Sequence, residues 1–263
     1  MAEQLLSSVR NAARLLKEFR RADRELGVSE LSRGLGIGKS TIHRLLRTLA
    51  SEGLLTHNSA TGRYRLGLVM AELGAAVTLS TDLHAASVGP LEELWRATGE
   101  TVQIALLDGR EVVYVERIES PQTLRLFNEV GRRNWAHSTG TGKALLAFLA
   151  EPDLDALLDG WDLPQKTPYT LTDPAELRED LARTRRLGYA ENINESEIGV
   201  ASVGGPIRDS EGRVIAAVST AGPVMRLDGD SLERHAGAVK AAAEAISRNL
   251  GWRPAVLTTG GRL

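Results

Sequence analysis

The stretch GIGKSTIHRLLRTL, residues 36–49, admits two readings that lead to different molecules. Its GKS triplet is how a phosphate-binding loop ends, and such a loop is written G-x-x-x-x-G-K-[ST] after a buried strand. With Gly38, Lys39 and Ser40 closing the motif, its first glycine belongs at position 33, which is Arg33. The segment in front, SELSRGLG (29–36), has the makeup of a short helix rather than of an apolar strand. Spacing and context both reject a nucleotide cradle. In the second reading, Ile42, Leu45, Leu46 and Leu49 recur at i, i+3, i+4 and i+7, which is one buried stripe of an α-helix. The opposite face carries Ser40, His43, Arg44, Arg47 and Ser51. Lys39, Ser40 and Thr41 fall at the helix start, where free N–H groups attract phosphate oxygens.

Working outward, GVSELSRGLG (27–36) reads as a short helix with Ser29 as N-cap and Gly34 and Gly36 ending it. The helix of the opening stretch spans 38–51. Upstream, residues 5–20 place Leu6, Val9, Ala12, Ala13, Leu16 and Phe19 at helical spacing. Downstream, LLTHNSATGRYRLG (54–67) reads as two short strands around a polar turn. A short helix, a glycine turn, a second helix with a basic outer face and a hairpin form a winged helix-turn-helix over residues 1–66. Its second helix has the girth to enter a DNA major groove, about 12 Å wide. Arg63 and Arg65 on the wing are placed for the backbone or minor groove. Charge agrees: residues 1–66 hold 12 of the 32 Lys and Arg but 6 of the 34 Asp and Glu, leaving +6 there and −8 on the rest. A basic end on an acidic body fits a polyanion partner at that end alone.

LGLVMAELGAAVTLS (66–80) is helical and rich in small residues, and 67–80 is assigned as a linker helix. Residues 81–251 alternate strands with helices. TVQIALL (101–107) repeats its apolar residues with period two, Asp108-Gly109 signals a turn, and EVVYVERI (111–118) returns. Helices are expected over 139–149, 153–159, 173–187 and 229–250, the last with Leu232, Ala236, Val239, Ala243, Ile246 and Leu250 on one face. VASVGGPIRD (200–209) and GRVIAAVSTAG (212–222) flank a DSEG turn. The fold class is α+β with a mainly antiparallel sheet, and 252–263 is expected to be a disordered tail. The chain has no Cys, which removes disulfides, thiolate nucleophiles and Cys-based zinc sites. It carries neither an apolar run of about 18 residues nor a signal-peptide core, so a cytoplasmic protein is expected.

The words SVRNAARLLKEF (8–19), VSELSRGLGIGKSTIHRLLRTLASEGLL (28–55), GRYRLGLVMAELG (62–74), LEELWRATGETVQIALLDGREVVYVERIESP (91–121), TGTGKALLAFL (139–149), LGYAENINESEIGVASVGGPIRDSEGRV (187–214) and STAGP (219–223) follow one another as in the IclR family of bacterial transcriptional regulators, which this chain resembles over nearly its whole length. The resemblance implies a winged helix-turn-helix, a linker helix and a C-terminal GAF-like α+β effector domain. It further implies a homodimer, often a homotetramer, bound to double-stranded operator DNA near catabolic genes. A small metabolite, an organic acid or aromatic compound, would modulate that binding through the linker helix, with no cofactor. The expected DNA-binding residues are Lys39, Ser40, Thr41, His43, Arg44, Arg47, Arg63 and Arg65.

For the effector, the resemblance points to Gly140 and Thr141 at a helix start, Asn192 where relatives often have Asp, Ser202 where they often have Cys, and Ser219 with Ala221 where they often have two Ser. If Asp209–Gly212 is a four-residue loop, 208 pairs with 213 and Ser202 faces Ser219 across the hairpin. Those hydroxyls then either converge on a ligand with the helix start or simply bond each other. Trp135, in RRNWAHSTG, is either an aromatic wall of the site or plain core. The departures from the family pattern lead to the expectation of a somewhat larger effector than a small keto acid, an aromatic acid or an amide. An enzyme on the same body finds little support. Ser138 and Lys143 lack S-x-x-K spacing, and the five His (43, 57, 84, 137, 235) show no metal spacing. Each His reads as a surface or capped residue, and Glu191, Glu195 and Glu197 as a solvated loop. A DNA-binding architectural protein without effector would not need the large second domain.

Overall fold

The computed structural model describes residues 6–19, 25–79, 83–126 and 130–253, with backbone alone for 75–79. All of the expected tail except Trp252 and Arg253 lies outside the described residues. The chain divides into two units, Met1–Ser80 and Thr81–Leu263.

The first unit runs α1 (Ser7–Glu18), α2 (Val28–Leu35), α3 (Lys39–Ser51), β1 (Leu55–Asn58), β2 (Arg63–Leu66) and α4 (Leu68–Leu79). Its core joins Leu15, Leu31, Leu35, Ile42, Leu46, Leu49, Leu55 and Tyr64. The helical stripe foreseen for α1 is corrected. Leu15 and Phe19 go inside, whereas Leu6 and Val9 are 70% and 61% exposed. Ser29 is not the N-cap of α2: Gly27 holds that place in an extended conformation, and no side chain caps the helix. Gly36 ends α2 at φ 68°, the left-handed geometry that only glycine adopts without strain. Ser32 Oγ then donates to the Ile37 carbonyl at 2.7 Å, fixing the turn into α3. The wing strands pair antiparallel, Leu55 opposite Leu66. Tyr64 also exchanges both backbone hydrogen bonds with Leu26, at 2.9 and 3.0 Å, which ties the wing to the chain before α2.

The second unit contains α5 (Leu83–Thr98), β3 (Thr101–Asp108), β4 (Glu111–Ile118), β5 (Arg133–Trp135), α6 (Gly140–Leu146), α7 (Glu151–Leu158), α8 (Pro174–Leu187), β6 (Ala190–Ile193), β7 (Val200–Arg208), β8 (Val214–Pro223) and α9 (Gly229–Asn249). The sheet order is β5-β4-β3-β8-β7-β6, with every neighbouring pair antiparallel. One face places Val102, Ile104, Val203, Ile207 and Val218 against α5 and α9. The other places Ala105, Tyr114, Ala190 and Ala217 against α6, α7 and α8. Helix α5 carries no period in the reading above, and it contains Gly89 and Pro90 mid-helix. Strands β5 and β6, three and four residues long, are too short to register as periodic.

The β7–β8 register corrects the expected hairpin. Ser202 pairs with Ala221, Ser219 with Gly204, and Arg208 with Val214 after a bulge at Ile207/Arg208. The connection is longer by one residue because Asp209 Oδ1 accepts from Glu211 N at 2.9 Å and Arg213 N at 3.0 Å, which holds Arg213 in the turn. Ser202, Ser219 and Ala221 keep a common face because the slip is two residues. Helix α6 lies on that face at backbone distance. A Cβ on Gly204 would stand 2.2 Å from the Gly140 carbonyl oxygen, and one on Gly142 would stand 2.2 Å from that of Ala136. Among the described residues no helix is long and apolar enough to cross a membrane.

Candidate functional site

Helix α3 turns Ile42, Leu46 and Leu49 inward, which leaves Lys39, Ser40, Thr41, His43, Arg44 and Arg47 exposed along its outer side. No acidic residue stands in its first turn and no side chain caps it. The first N–H groups and Lys39 therefore present positive potential together. The wing arginines differ from one another. Arg63 Nη1 donates to the Glu25 carbonyl at 2.8 Å, and Nη2 lies 3.5 Å from Glu30 Oε2. Glu25 also receives Asn58 Nδ2 at 2.7 Å and Thr61 Oγ1 at 2.8 Å, which bind the wing turn. The Asn58 hydrogen bond, then that of Thr61, holds the Glu25 carboxyl below its usual value, with Arg65 and Arg63 adding to the effect. Arg63 is thus partly committed to its own domain, and Arg65 stays exposed on the same face of the strand.

In the second unit, a cavity of about 580 Å³ opens on the α6 side of the sheet. Its floor is a row across the strands: Asn192 stands opposite Ser202, and Ser202 opposite Ala221. Gln103 enters one rung along, opposite Ser219. The remaining neutral polar lining is Asn134, Thr139 and Ser196, the apolar lining Tyr114, Leu126 and Val200, and the charged lining Arg125, Arg132, Lys166 and Glu197.

Asn192 organises one wall. Its Nδ2 donates to Ser202 Oγ at 3.2 Å and to Ser196 Oγ at 3.1 Å, while Oδ1 accepts Glu195 N at 2.9 Å. An aspartate has no amide hydrogens and would not make the two donations, so Asn192 suits a turn built from hydroxyls. Ser202 Oγ also accepts Gly140 N at 3.3 Å, and Thr139 Oγ1 accepts Gly142 N at 3.1 Å.

Of the expected effector residues, Asn192, Ser202 and Ala221 line the cavity. Gly140 supports Ser202 from within the fold. Thr141 is 1% exposed and its hydroxyl has no partner among the described residues. Ser219 is equally buried, and both its Oγ and the Oε1 of neighbouring Gln103 lack partners among those residues. Trp135 does not line the cavity. It tilts against Trp161 at 6.3 Å between ring centroids and borders a smaller pocket of about 230 Å³ with Lys166 and Arg133. The sequence reading missed Gln103, Tyr114, Asn134 and Lys166. Of these, Gln103 left a signal, a polar residue amid the apolar run TVQIALL.

Two further readings change. Of the two readings of His137, surface or capped, burial removes the first, and its ring is held by the Pro164 carbonyl. Desolvation lowers its pKa to about 4, outweighing a raising contribution from its hydrogen bond to the Pro164 carbonyl. Its Nε2 lies 3.2 Å from that carbonyl oxygen, so the neutral ring carries its proton there. The acidic loop is also not simply solvated. Lys143 is 1% exposed and pairs with Glu195 at 2.7 Å and Asp180 at 3.0 Å, and Glu191 pairs with Arg183 at 2.9 Å. Burial raises the Glu195 carboxyl, and Lys143 opposes that rise. Among the described residues no cluster of His, Asp or Glu has metal-holding geometry.

A family model described as the IclR helix-turn-helix domain matches residues 8–59, and one described as the C-terminal part of the bacterial transcriptional regulator IclR matches 75–248. The HTH-type transcriptional regulator XynR of Escherichia coli is 39% identical over 248 residues, 94% of this chain and 98% of its own length. KdgR of the same bacterium is 33% identical over 230 residues, 88% of each chain. Among solved structures, an IclR homologue from Microbacterium hydrocarbonoxydans complexed with 4-hydroxybenzoate is similar at TM-score 0.83 and 27% identity, covering 93% of this chain and 99% of that one. With residues 8–59 and 75–248 each matched by a model of the family, this chain belongs to the IclR family of bacterial transcriptional regulators.

Proposed function

We propose that this regulator binds an operator through α3 and that a small organic acid, held in the 580 Å³ cavity, changes that binding and so controls a catabolic operon. The observation that carries the first half is the outer face of α3. It presents Lys39, Ser40, Thr41, His43, Arg44 and Arg47, whose side chains have no hydrogen-bond or ion-pair partner among the described residues. Arg44 and Arg47 suit base edges, and Lys39 with Ser40 and Thr41 suit a backbone phosphate. Arg65, with Arg63 in support, extends the contact from the wing. The protein acts as a homodimer in the cytoplasm, with two recognition helices in successive major grooves and half-sites roughly 34 Å apart.

The cavity is the effector site, with Asn192, Ser202 and Gln103 as its polar readers and Ala221 leaving room beside them. Gly140, Thr141 and Ser219 support that floor. Its volume lies in the range of sites for ligands well above two carbons, and Tyr114, Leu126 and Val200 offer an apolar side. That supports an aromatic or extended organic acid, and the relative bound to 4-hydroxybenzoate adds weight. Tyr114 takes the part that Trp135 was expected to play.

Footprinting of the DNA upstream of neighbouring genes tests this reading. Protection of a pseudo-palindrome, altered by added organic acids, is the expected result. Protection that no metabolite alters would remove the effector half, and no protected site would remove both.

A further inference from the structure

With the cavity as the effector site, a reading on which this assignment depends, we propose that Gln103 selects for a hydroxyl group on the effector. The ligand is then a hydroxylated carboxylate. Strand β3 alternates through the core of its domain. Val102 and Ile104 face α5 and α9, and Ala105 packs on the opposite side with α6. Gln103 shares the side of Ala105. A leucine there would complete the apolar run, yet the chain buries an amide.

Gln103 lines the cavity and is 2% exposed, and its Oε1 has no partner among the described residues. Ser219 stands opposite it on β8, is 1% exposed, and has an Oγ that also lacks a partner among those residues. The two face each other without bonding. On the other flank Arg117 stands opposite Gln103 on β4, and its Nη2 donates to the Leu126 carbonyl at 2.7 Å. Ala221, next along that face of β8 and part of the cavity lining, offers only a methyl. Buried polar groups are nearly always hydrogen-bonded, because an unmade bond forfeits the hydration the group has lost. The partner of this amide comes with the ligand.

The amide oxygen is an acceptor and requires a donor. A carboxylate or keto oxygen cannot donate, and an ammonium cannot accept from Ser219. A hydroxyl does both, donating to Gln103 Oε1 and accepting from Ser219 Oγ. The rest of the neutral polar lining, Asn134, Thr139, Asn192, Ser196 and Ser202, consists of amides and hydroxyls, which suit further hydroxyls on the same ligand. Two segments of the wall are tied to each other: Thr170 Oγ1 accepts from Lys166 N at 3.1 Å and donates to the Glu195 carbonyl at 2.6 Å. The wall is thereby held at one spacing while the ligand enters.

The test is calorimetric titration of the full-length protein with three pairs of carboxylates that differ in hydroxyls: gluconate with hexanoate, lactate with propionate, and 4-hydroxybenzoate with benzoate. Wild type should bind the hydroxylated member of at least one pair about tenfold tighter or more, and the pair that shows it separates an aliphatic hydroxy acid from a phenolic one. Gln103→Met, of similar length but without the amide, should bring that ratio close to one by weakening the hydroxylated member alone. Ligand-free Gln103→Met should melt no lower than wild type, because the amide it removes makes no bond within the fold. Ser202→Ala should weaken both members of the pair. A ratio that survives Gln103→Met, a wild-type preference for the unhydroxylated acid, or a ligand-free variant that melts below wild type overturns the assignment. In each of those cases the cavity remains the effector site if Ser202→Ala still weakens binding. If no carboxylate binds at millimolar concentration, or if Ser202→Ala changes nothing, the reading of the cavity falls and the role of Gln103 falls with it.

Discussion

Lys143 shows how a single side chain escapes a reading of the sequence. In the line TGTGKALL it is one lysine near a helix start, yet it is buried and neutralised by Asp180 and Glu195 from well downstream. No local pattern announces partners so distant. Removing one member of a buried ion pair leaves the others uncompensated, at a cost of about 3–5 kcal/mol. Lys143→Met should therefore lower stability by about 3 kcal/mol in urea at neutral pH, the low end because the Asp180 side chain is 22% exposed. The loss should shrink in acid. A carboxyl raised above its ordinary 4.5, as Glu195 is, favours the folded state most below that ordinary value, and the benefit is lost as pH rises through the folded value. Without Lys143 the rise is larger, so the variant should recover relative to wild type as pH falls. His137 acts in the opposite direction. Its folded pKa of about 4 lies below the ordinary 6.5, so the unfolded chain takes the proton first and stability declines as pH falls from about 6.5 to about 4. His137→Gln should flatten that decline, measured by urea midpoints at the two ends of the window. An unchanged slope would mean that other groups carry it.

At the scale of elements, local chemistry made some features readable and hid others. The period of Ile42, Leu46 and Leu49 fixed α3 and with it the exposed basic face, because a helix buried on one side repeats every 3.6 residues. In the second domain β3 and β4 were legible from alternation and the Asp108-Gly109 turn, and β7 and β8 from the DSEG turn between them. The β7–β8 register slipped by two, because neither a bulge nor the capping of the turn by Asp209 has a periodic signature. The face survived the slip, which is why Ser202 and Ala221 were still placed together. Lys166 sits in an irregular loop whose hydroxyl staples become visible only in three dimensions. Glycines separate the same way. Gly204→Ala would put a Cβ into the Gly140 carbonyl oxygen, a backbone clash with no flexible atom to yield. We expect a loss of about 3 kcal/mol or more from forced repacking of α6 on β7. Gly34, inside α2 with nothing within 4 Å of its Cβ position, should respond the other way, with Gly34→Ala gaining about 0.5–1 kcal/mol of helix propensity. Thermal melts of the two variants should move in opposite directions.

For the whole molecule, charge and function separate by domain. The surplus of +6 lies in residues 1–66 and the acidic balance in the rest, so salt should act on operator binding far more than on effector binding. Arg44→Ala and Arg47→Ala should each weaken operator binding, by about 1–3 kcal/mol where the side chain reads a base. Where it meets a phosphate, the salt slope should fall by about one instead. Effector affinity measured by calorimetry should stay at the wild-type value in both variants, since neither residue lines the cavity. If both bound the operator as wild type does, α3 would not be the reading helix. Coupling between the two sites obeys a stricter rule. An effector that changes operator affinity by some factor must itself bind the operator complex with affinity changed by the same factor. Titrating an effective acid into the free protein and into its operator complex should yield that one ratio twice.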